Sequence, residues 1–403
     1  MLKEKITYLV MVTSEENHNK FYRMIPNVPD AAHFTAEYGR IGATGMKKIY
    51  PATSFEKIYD DKIRKGYVDQ SDLHEEVVSV LSDNGYQPIS DPMVSVLVEK
   101  LRRYADDTIK KSYKISSKEV TKTMLDTARQ LIDELYGVSS ISKFNALLLK
   151  LFSVIPRKMA NVSDNLAITT ADFGKIISSE ESLLDVMAGQ VIQNVRHNKP
   201  LGQKTTSNTI LEENGLDIRC CTDAEIEQIK KFLGPESEGK LKRAFYVKNI
   251  ETEERFNTYC KENHISRSNV KFLYHGSRNQ NWWNILLQGL VLNPNAIRTG
   301  AMFGHGLYFA PRAKKSMKYT SYNGYYTGEL SDTGFLAVYK VAYKNPLMVY
   351  SWESKYASYT IKDMKRLGTD AVFGSKEKGM LINDEIIVYD AAQATIRYLI
   401  ELG

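Results

Sequence analysis

Three short segments in the second half of the chain set polar and aromatic groups beside glycine: YHGSRNQN (274–281), MFGHGLYFAPRAKKSMKY (302–319) and INDEIIVYD (382–390). Between them they offer an imidazole (His275), several phenol rings, a serine hydroxyl and a carboxylate (Glu385). Each lies at the edge of an apparent strand, where glycine lets a flat ligand come close to the backbone. No phosphate-binding loop, GxSxG elbow or HExxH motif accompanies them. Gly304-His305-Gly306 is too short for a dinucleotide fingerprint. Taken singly, each residue has a plain structural reading. His275 would be a satisfied histidine, Tyr308 and Tyr319 core packing in a chain of 25 tyrosines, Glu385 a solvated strand end, and Lys315 beside Lys314 a solvated pair. Their concurrence favours a site.

Strands must carry these groups. In the last 200 residues the apolar period approaches two: Val270 to Tyr274, Phe335 to Tyr343, Glu385 to Tyr389 and Ile396 to Leu402 read as strands. Only one or two short helices are expected between them, which favours a mainly antiparallel α+β sheet over a doubly wound parallel one. Upstream the pattern is helical. Met93, Val96, Leu97, Leu101 and Tyr104 form one stripe; Val120, Met124, Ala128, Leu131 and Leu135 form a second, stopped at Gly137. Ile141, Phe144, Leu148, Leu151 and Ile155 form a third, closed by Pro156. Ser178-Ser179-Glu180-Glu181 reads as a capping box opening a fourth helix that buries Leu184, Met187, Val191 and Val195. This predicts an all-α helical bundle over 91–198.

Residues 1–82 read as a small α+β unit. Ile6 to Val12 is β-rich, Phe34 to Ile41 follows a polar loop holding Pro26 and Pro29, and Gly42 and Gly45 mark a turn. Ser54 to Lys65 is helical, with Phe55, Ile58, Tyr59 and Ile63 on one face and Gly66 at its end. Two polar stretches, DNGYQPISDP (83–92) and HNKPLGQKTTSN (197–208), suit linkers.

Composition narrows the classes. With 403 residues the chain has room for two or three cores. At 43% hydrophobic and 25% charged it is an ordinary globular composition. The longest apolar run, Phe144 to Phe152, is broken by Lys150 and too short for a bilayer, so no membrane partner is expected. The N-terminal MLKEKITYLVMVTSEEN lacks a small-residue cleavage site and reads as a strand, which points to an intracellular protein. Cys220, Cys221 and Cys260 form no CxxC pair, so neither a four-ligand zinc site nor a disulfide framework is expected. A net charge of +6 is compatible with nucleic acid without requiring it.

The three C-terminal segments resemble the NAD⁺-binding signature of the poly(ADP-ribose) polymerase family, whose His, Tyr and Glu come from three separate strands. The helical segment resembles that family's regulatory helical domain. Tyr38-Gly39-Arg40 resembles the signature of the WGR domain, with Tyr in place of the usual Trp. The resemblance implies three parts: a WGR-like DNA-binding domain over 1–82, a regulatory helical domain over 91–198 and an ADP-ribosyltransferase catalytic domain over 204–403. It also implies NAD⁺ as co-substrate and no metal.

The resemblance further implies roles. Gly276 would hold the nicotinamide amide through its backbone, aided by the Ser316 hydroxyl. Tyr308 and Tyr319 would pack the two faces of the ring, and His275 would hydrogen-bond the adenosine ribose, chiefly as a donor. Glu385 would grip the nicotinamide ribose, stabilise the cationic sugar and polarise the acceptor; a glutamate here favours polymer formation. Ser277, Asn281, Ala310 and Lys315 would line the pocket. One departure is visible: Gly289-Leu290 precedes Val291 where the family often has arginine, which would leave adenosine contacts to Arg298.

For the N-terminal part, Tyr38 to Tyr67 holds seven basic residues against three acids. Tyr38, Arg40, Lys47 and Lys48 would contact a DNA break, Tyr38 by stacking and the cations through phosphates. The helical domain would be a lid loosened by DNA. The activity implied is polymer synthesis on acceptor proteins and on the enzyme itself, stimulated by DNA breaks. It would act in a nucleus if the source is eukaryotic, in cytoplasm or nucleoid if microbial. The alternatives are a mono-ADP-ribosyltransferase and a catalytically silent DNA-end or NAD⁺-binding module.

Overall fold

A computed structural model of the chain describes residues 6–27, 30, 32–41, 43–74, 86–117, 119–197, 208–234, 237–292, 302–322, 324–328, 330–378 and 381–403. Gly42, Arg298, residues 83–85 of the first polar stretch and 198–207 of the second lie outside these residues, and Val195 lies outside the described side chains. The chain divides into two compact units: Met1–Leu81 with Asp107–Asn194, and Ser82–Asp106 with Val195–Gly403.

The first unit opens with β1 (Thr7–Thr13), β2 (His18–Pro26), β3 (His33–Arg40), β4 (Met46–Pro51), α1 (Phe55–Arg64), β5 (Val68–Asp69) and α2 (Ser71–His74). The strands pair in the order β4-β3-β2-β1-β5, antiparallel throughout. Leu9, Tyr22, Met24, Phe34, Ala36 and Phe55 fill the core between sheet and α1. The expected polar loop before Phe34 is largely strand β2. Its polar residues hide it: Asn19 is fully buried and its amide reaches the carbonyl of Arg157. On α1, Phe55 is buried but Ile63 is exposed, and Gly66 ends the element at a φ of 89°.

Four longer helices follow: α3 (Pro92–Ser112), α4 (Lys122–Tyr136), α5 (Ile141–Val154) and α6 (Phe173–His197). The division between the units falls within α3, so the helical segment expected as one module over 91–198 is shared between them. Two expectations need correcting. The buried stripe of α3 is Val94, Leu97, Val98, Leu101, Ala105 and Ile109, while Met93 and Val96 are exposed. The fourth helix begins at Phe173, not near Ser178. Thr169 and Asp172 cap each other's backbone just ahead of it, and the Phe173 ring stacks on Phe144 at 3.8 Å. Glu180 sits inside the helix, nearly buried, 3.5 Å from Arg157.

The second unit adds α7 (Ile210–Glu213), β6 (Leu216–Cys220), α8 (Asp223–Leu233), β7 (Leu241–Asn249), α9 (Ile250–Glu262), β8 (Val270–Ser277), α10 (Trp282–Gln288), β9 (Leu307–Phe309) and α11 (Ala313–Met317). After these come β10 (Gly334–Ala342), β11 (Pro346–Val349), α12 (Ile361–Leu367), β12 (Ala371–Gly374), β13 (Glu385–Val388) and β14 (Ala394–Leu402). One sheet runs β6-β7-β14-β10-β8 and is antiparallel; the other runs β11-β12-β13-β9 with only β11 and β12 parallel. Helices are more numerous than the one or two expected. Those in α8 and α9 are charge-rich and bury only short stripes, Ile229 with Leu233 and Thr252 with Phe256, too little to stand out as a period. Inside this unit Lys100 of α3 donates to Glu401 of β14 at 2.8 Å, with Arg243 3.7 Å from the same nearly buried carboxylate. Among the described residues no helix is long and apolar enough to cross a membrane, and no cluster of potential metal ligands occurs.

Candidate active site

The two sheets of the second unit meet where β8 touches the end of β9. Tyr274 and Ala310 exchange both backbone hydrogen bonds, at 2.8 and 3.0 Å. Side chains alternate along β8. Tyr274 therefore turns to the core formed with Ala313, Met317, Leu336 and Val338, and Gly276 turns the same way, toward α11. A Cβ on Gly276 would run into the Ser316 carbonyl, with Thr320 close behind. The glycine thus lets a helix lie against a strand edge. Ser316, buried on that helix, donates its hydroxyl to the Tyr274 carbonyl at 3.0 Å.

His275 faces the other side, among Trp282, Phe309 and Tyr339, whose ring centroids lie 6.5, 5.9 and 6.1 Å away. Its Nδ1 is 3.1 Å from the backbone carbonyl of Tyr308. A carbonyl only accepts, so Nδ1 carries the proton and, in the neutral ring, Nε2 is an acceptor.

Tyr308 lies opposite Ile387 in the β9–β13 pair, and Glu385 lies two residues from Ile387. By strand alternation Tyr308 and Glu385 share a face as diagonal neighbours, about 7–8 Å apart at the backbone. The Tyr308 hydroxyl is fixed by the loop before it, donating to the Gly304 carbonyl at 2.9 Å and accepting from the Phe303 N–H at 3.0 Å. That loop is itself held by Tyr359: Gly304 has a φ of 74° and no room for a Cβ against the Tyr359 backbone, and His305 N–H donates to the Tyr359 carbonyl at 2.8 Å. Glu385 forms an ion pair with Lys315 of α11, both side chains nearly buried. Burial pulls the Lys315 ammonium down to about 8, which the negative charge of Asp384 opposes and the positive charge of Lys318 reinforces. The pairing with Glu385 works against the desolvation.

The structure therefore brings His275, Gly276, Tyr308, Ala310, Lys315, Ser316 and Glu385 onto three neighbouring strands and one short helix. Asn281 donates to the Ser277 hydroxyl at 3.0 Å, and its own amide oxygen is buried without a partner. Tyr319 stands at the C-terminal end of α11, partly exposed, stacked on Tyr326 at 4.6 Å. Tyr326 and Arg278 are not among the residues that sequence reasoning selects. An aromatic pair seven residues beyond Tyr319 is the available signal for the first; Arg278 lies inside one of the three site segments.

The residues expected to meet DNA are less uniform. Lys47 and Lys48 are exposed on the edge strand β4. Tyr38 stacks inward on Tyr22 at 5.4 Å, so one of its ring faces is occupied. Arg40 points its guanidinium at carbonyls: Asn17 at 3.1 Å, and Met159 and Ala160 at 3.4 Å each, all within the first unit.

Residues 223–403 match the poly(ADP-ribose) polymerase catalytic domain, and residues 6–74 match the WGR domain. A protein of Invertebrate iridescent virus 6, "Uncharacterized protein 101L", is 30% identical over 196 residues, covering 48% of this chain and 80% of the viral one. A poly(ADP-ribose) polymerase of Sarcophaga peregrina is 22% identical over 489 aligned positions, covering 100% of this chain and 46% of its own length. A poly(ADP-ribose) polymerase 2 of Arabidopsis thaliana is 34% identical over 160 residues, 34% of this chain and 24% of the plant protein. The chain thus spans less than half the length of either polymerase. Fold, strand-edge site and catalytic-domain match define an NAD⁺ ADP-ribosyltransferase. The chain belongs to the poly(ADP-ribose) polymerase family.

Proposed function

We propose that this chain transfers ADP-ribose from NAD⁺ to acceptor proteins, itself among them, and to growing ADP-ribose chains, and that DNA breaks bound by the N-terminal sheet stimulate it. In such a reaction the bond between nicotinamide and the anomeric carbon breaks, and nicotinamide leaves with the bonding electrons. The ribose passes through an oxocarbenium-like state, the acceptor oxygen bonds to the anomeric carbon, and the acceptor proton is lost. A carboxylate beside the cationic sugar lowers that barrier electrostatically, and low solvent access strengthens it.

The observation that carries the reading is Glu385. Its carboxylate is nearly buried, charge-paired with Lys315, and shares a strand face with Tyr308, whose carbonyl fixes His275. In this reading Gly276 and Ser316 grip the nicotinamide amide and Tyr308 and Tyr319 sandwich its ring, a geometry favourable to aromatic stacking. His275 accepts from the adenosine ribose. Ser277, Asn281, Ala310 and Lys315 line the remainder. A glutamate, which can polarise an acceptor hydroxyl, supports elongation over single transfer. Exposed Lys47 and Lys48 support phosphate contact.

Incubation with labelled NAD⁺, with and without nicked DNA, tests each part. Free nicotinamide reports transfer, a smear on a gel reports polymer, and stimulation by DNA reports the N-terminal role. Glu385→Gln should keep NAD⁺ affinity and slow transfer by ~10²–10³-fold, with elongation lost first. Wild-type polymer length from that variant would remove the assignment.

A further inference from the structure

Resting on the reading of Tyr319 as one wall of the nicotinamide pocket, we propose that Tyr326 is a positioning residue that backs Tyr319 from the side away from the ligand. The two rings stack with centroids 4.6 Å apart and planes 27° from parallel. Tyr325 meets Tyr326 edge-on at 4.7 Å and 87°, and the Lys318 ammonium lies 5.0 Å over the Tyr325 ring. These are favourable aromatic and cation–π arrangements.

The segment bearing the two rings is built onto the site rather than hung beside it. Tyr326 N–H donates to the Lys318 carbonyl at 3.0 Å, Gly324 N–H to Thr320 at 3.1 Å and Gly328 N–H to Gly324 at 3.0 Å. From the other side Arg278, the residue after β8, donates to the Thr327 carbonyl at 3.0 Å. Strand β8 and helix α11, which carry Gly276 and Ser316, therefore both anchor this segment.

A phenol ring has two faces, and Tyr326 covers one face of Tyr319. Tyr326 is 53% exposed, which suits an outer buttress. Holding Tyr319 in its binding rotamer before the ligand arrives lowers the ordering cost of binding.

Steady-state kinetics of the full chain provide the test, with KM for NAD⁺ and the inhibition constant of nicotinamide as readouts. An aromatic pair of this kind corresponds to about three- to tenfold in affinity. Tyr326→Ala should raise both constants by that factor and leave kcat within about twofold. Tyr326→Phe, which keeps the ring, should restore both. Adding Tyr326→Ala to Tyr319→Ala should cause no further loss, because the two act through one ring. If Tyr319→Ala weakens nicotinamide and Tyr326→Ala does not, the backing role is wrong and the pocket stands. Tighter nicotinamide binding in Tyr326→Ala would mean the ring occupies the ligand's place, which also overturns it. Unchanged constants in Tyr319→Ala would remove the pocket reading and this inference together.

Discussion

The strand-edge site of the catalytic domain and the N-terminal sheet are held by opposite means. At Gly276, Gly304 and Gly306 the chain packs so close that no Cβ fits: against Ser316, Tyr359 and Ile387 respectively. In the N-terminal sheet polar side chains do the joining: Asn17 and Asn19 bond residues 157–162, and Arg40 reaches three carbonyls, two of them about 120 residues further along the sequence. The first kind of junction breaks when an atom is added, the second when atoms are removed. The difference also sorts residues by availability. Around Glu385 close backbone approach makes the framework. Around Arg40 the side chain is the framework, which makes it a poor candidate for DNA phosphate.

Adding one methyl group to the catalytic site should have the largest effect. Gly276→Ala forces β8 and α11 apart and should cost about 3 kcal/mol or more, the upper end for overpacking against backbone that cannot yield. Nicotinamide release should fall with it. Gly174→Ala is the matched control. It lies in α6, where an added methyl group would meet nothing within 4 Å beyond the helix's own backbone, and should stabilise by up to about 1 kcal/mol. Thermal melts of the two variants read the contrast directly. Equal melts would mean that close backbone approach does not hold this site together.

Charge at the site comes next. Lys315 is the partner of Glu385, and burial brings its ammonium down to about 8. Protonated Lys315 balances the charge of the carboxylate. Raising the pH through about 8 removes that positive charge, so kcat/KM for NAD⁺ should decline on the alkaline side. Lys315→Arg, which stays charged, should shift the decline to higher pH. A pH profile that is flat from about 7 to about 9.5 in the wild type would show that the ammonium has no part in turnover.

These two tests also mark how far the sequence can be read. The three site segments are legible because glycine, aromatics and a carboxylate at strand edges are unusual together, and the four long strands stand out by their period. Sequence cannot show that Gly276 faces α11, because that close approach joins a strand to a helix 40 residues further on. Strand β2 is hidden because buried Asn19 and the half-buried Arg23 read as surface. The stripe of α3 slips by one residue because Met93 and Val96, exposed in the structure, satisfy the same spacing as Val94 and Leu97. The start of helix α6 falls earlier than its pattern suggests because Ser178 and Glu181 mimic a cap, while Thr169 and Asp172 form the one that acts. In the two helices a local pattern is satisfied twice and packing chooses between them.

The smallest effects separate the N-terminal residues from one another. Arg40→Ala removes three hydrogen bonds, two of them long, and should lower stability by about 1–2 kcal/mol. It should leave the salt dependence of DNA binding unchanged, because a guanidinium facing carbonyls releases no counterion from DNA. Lys47→Ala and Lys48→Ala should do the reverse, leaving the melt unaltered while each reduces the slope of log affinity against log salt by about one. The Lys48 ammonium also rests 4.9 Å over the Tyr50 ring, but its exposure leaves it free to exchange that contact for a phosphate. Should Arg40→Ala flatten the salt dependence as much as the lysines do, its guanidinium must leave those carbonyls for DNA, and the two kinds of junction would no longer differ in what they hold in reserve.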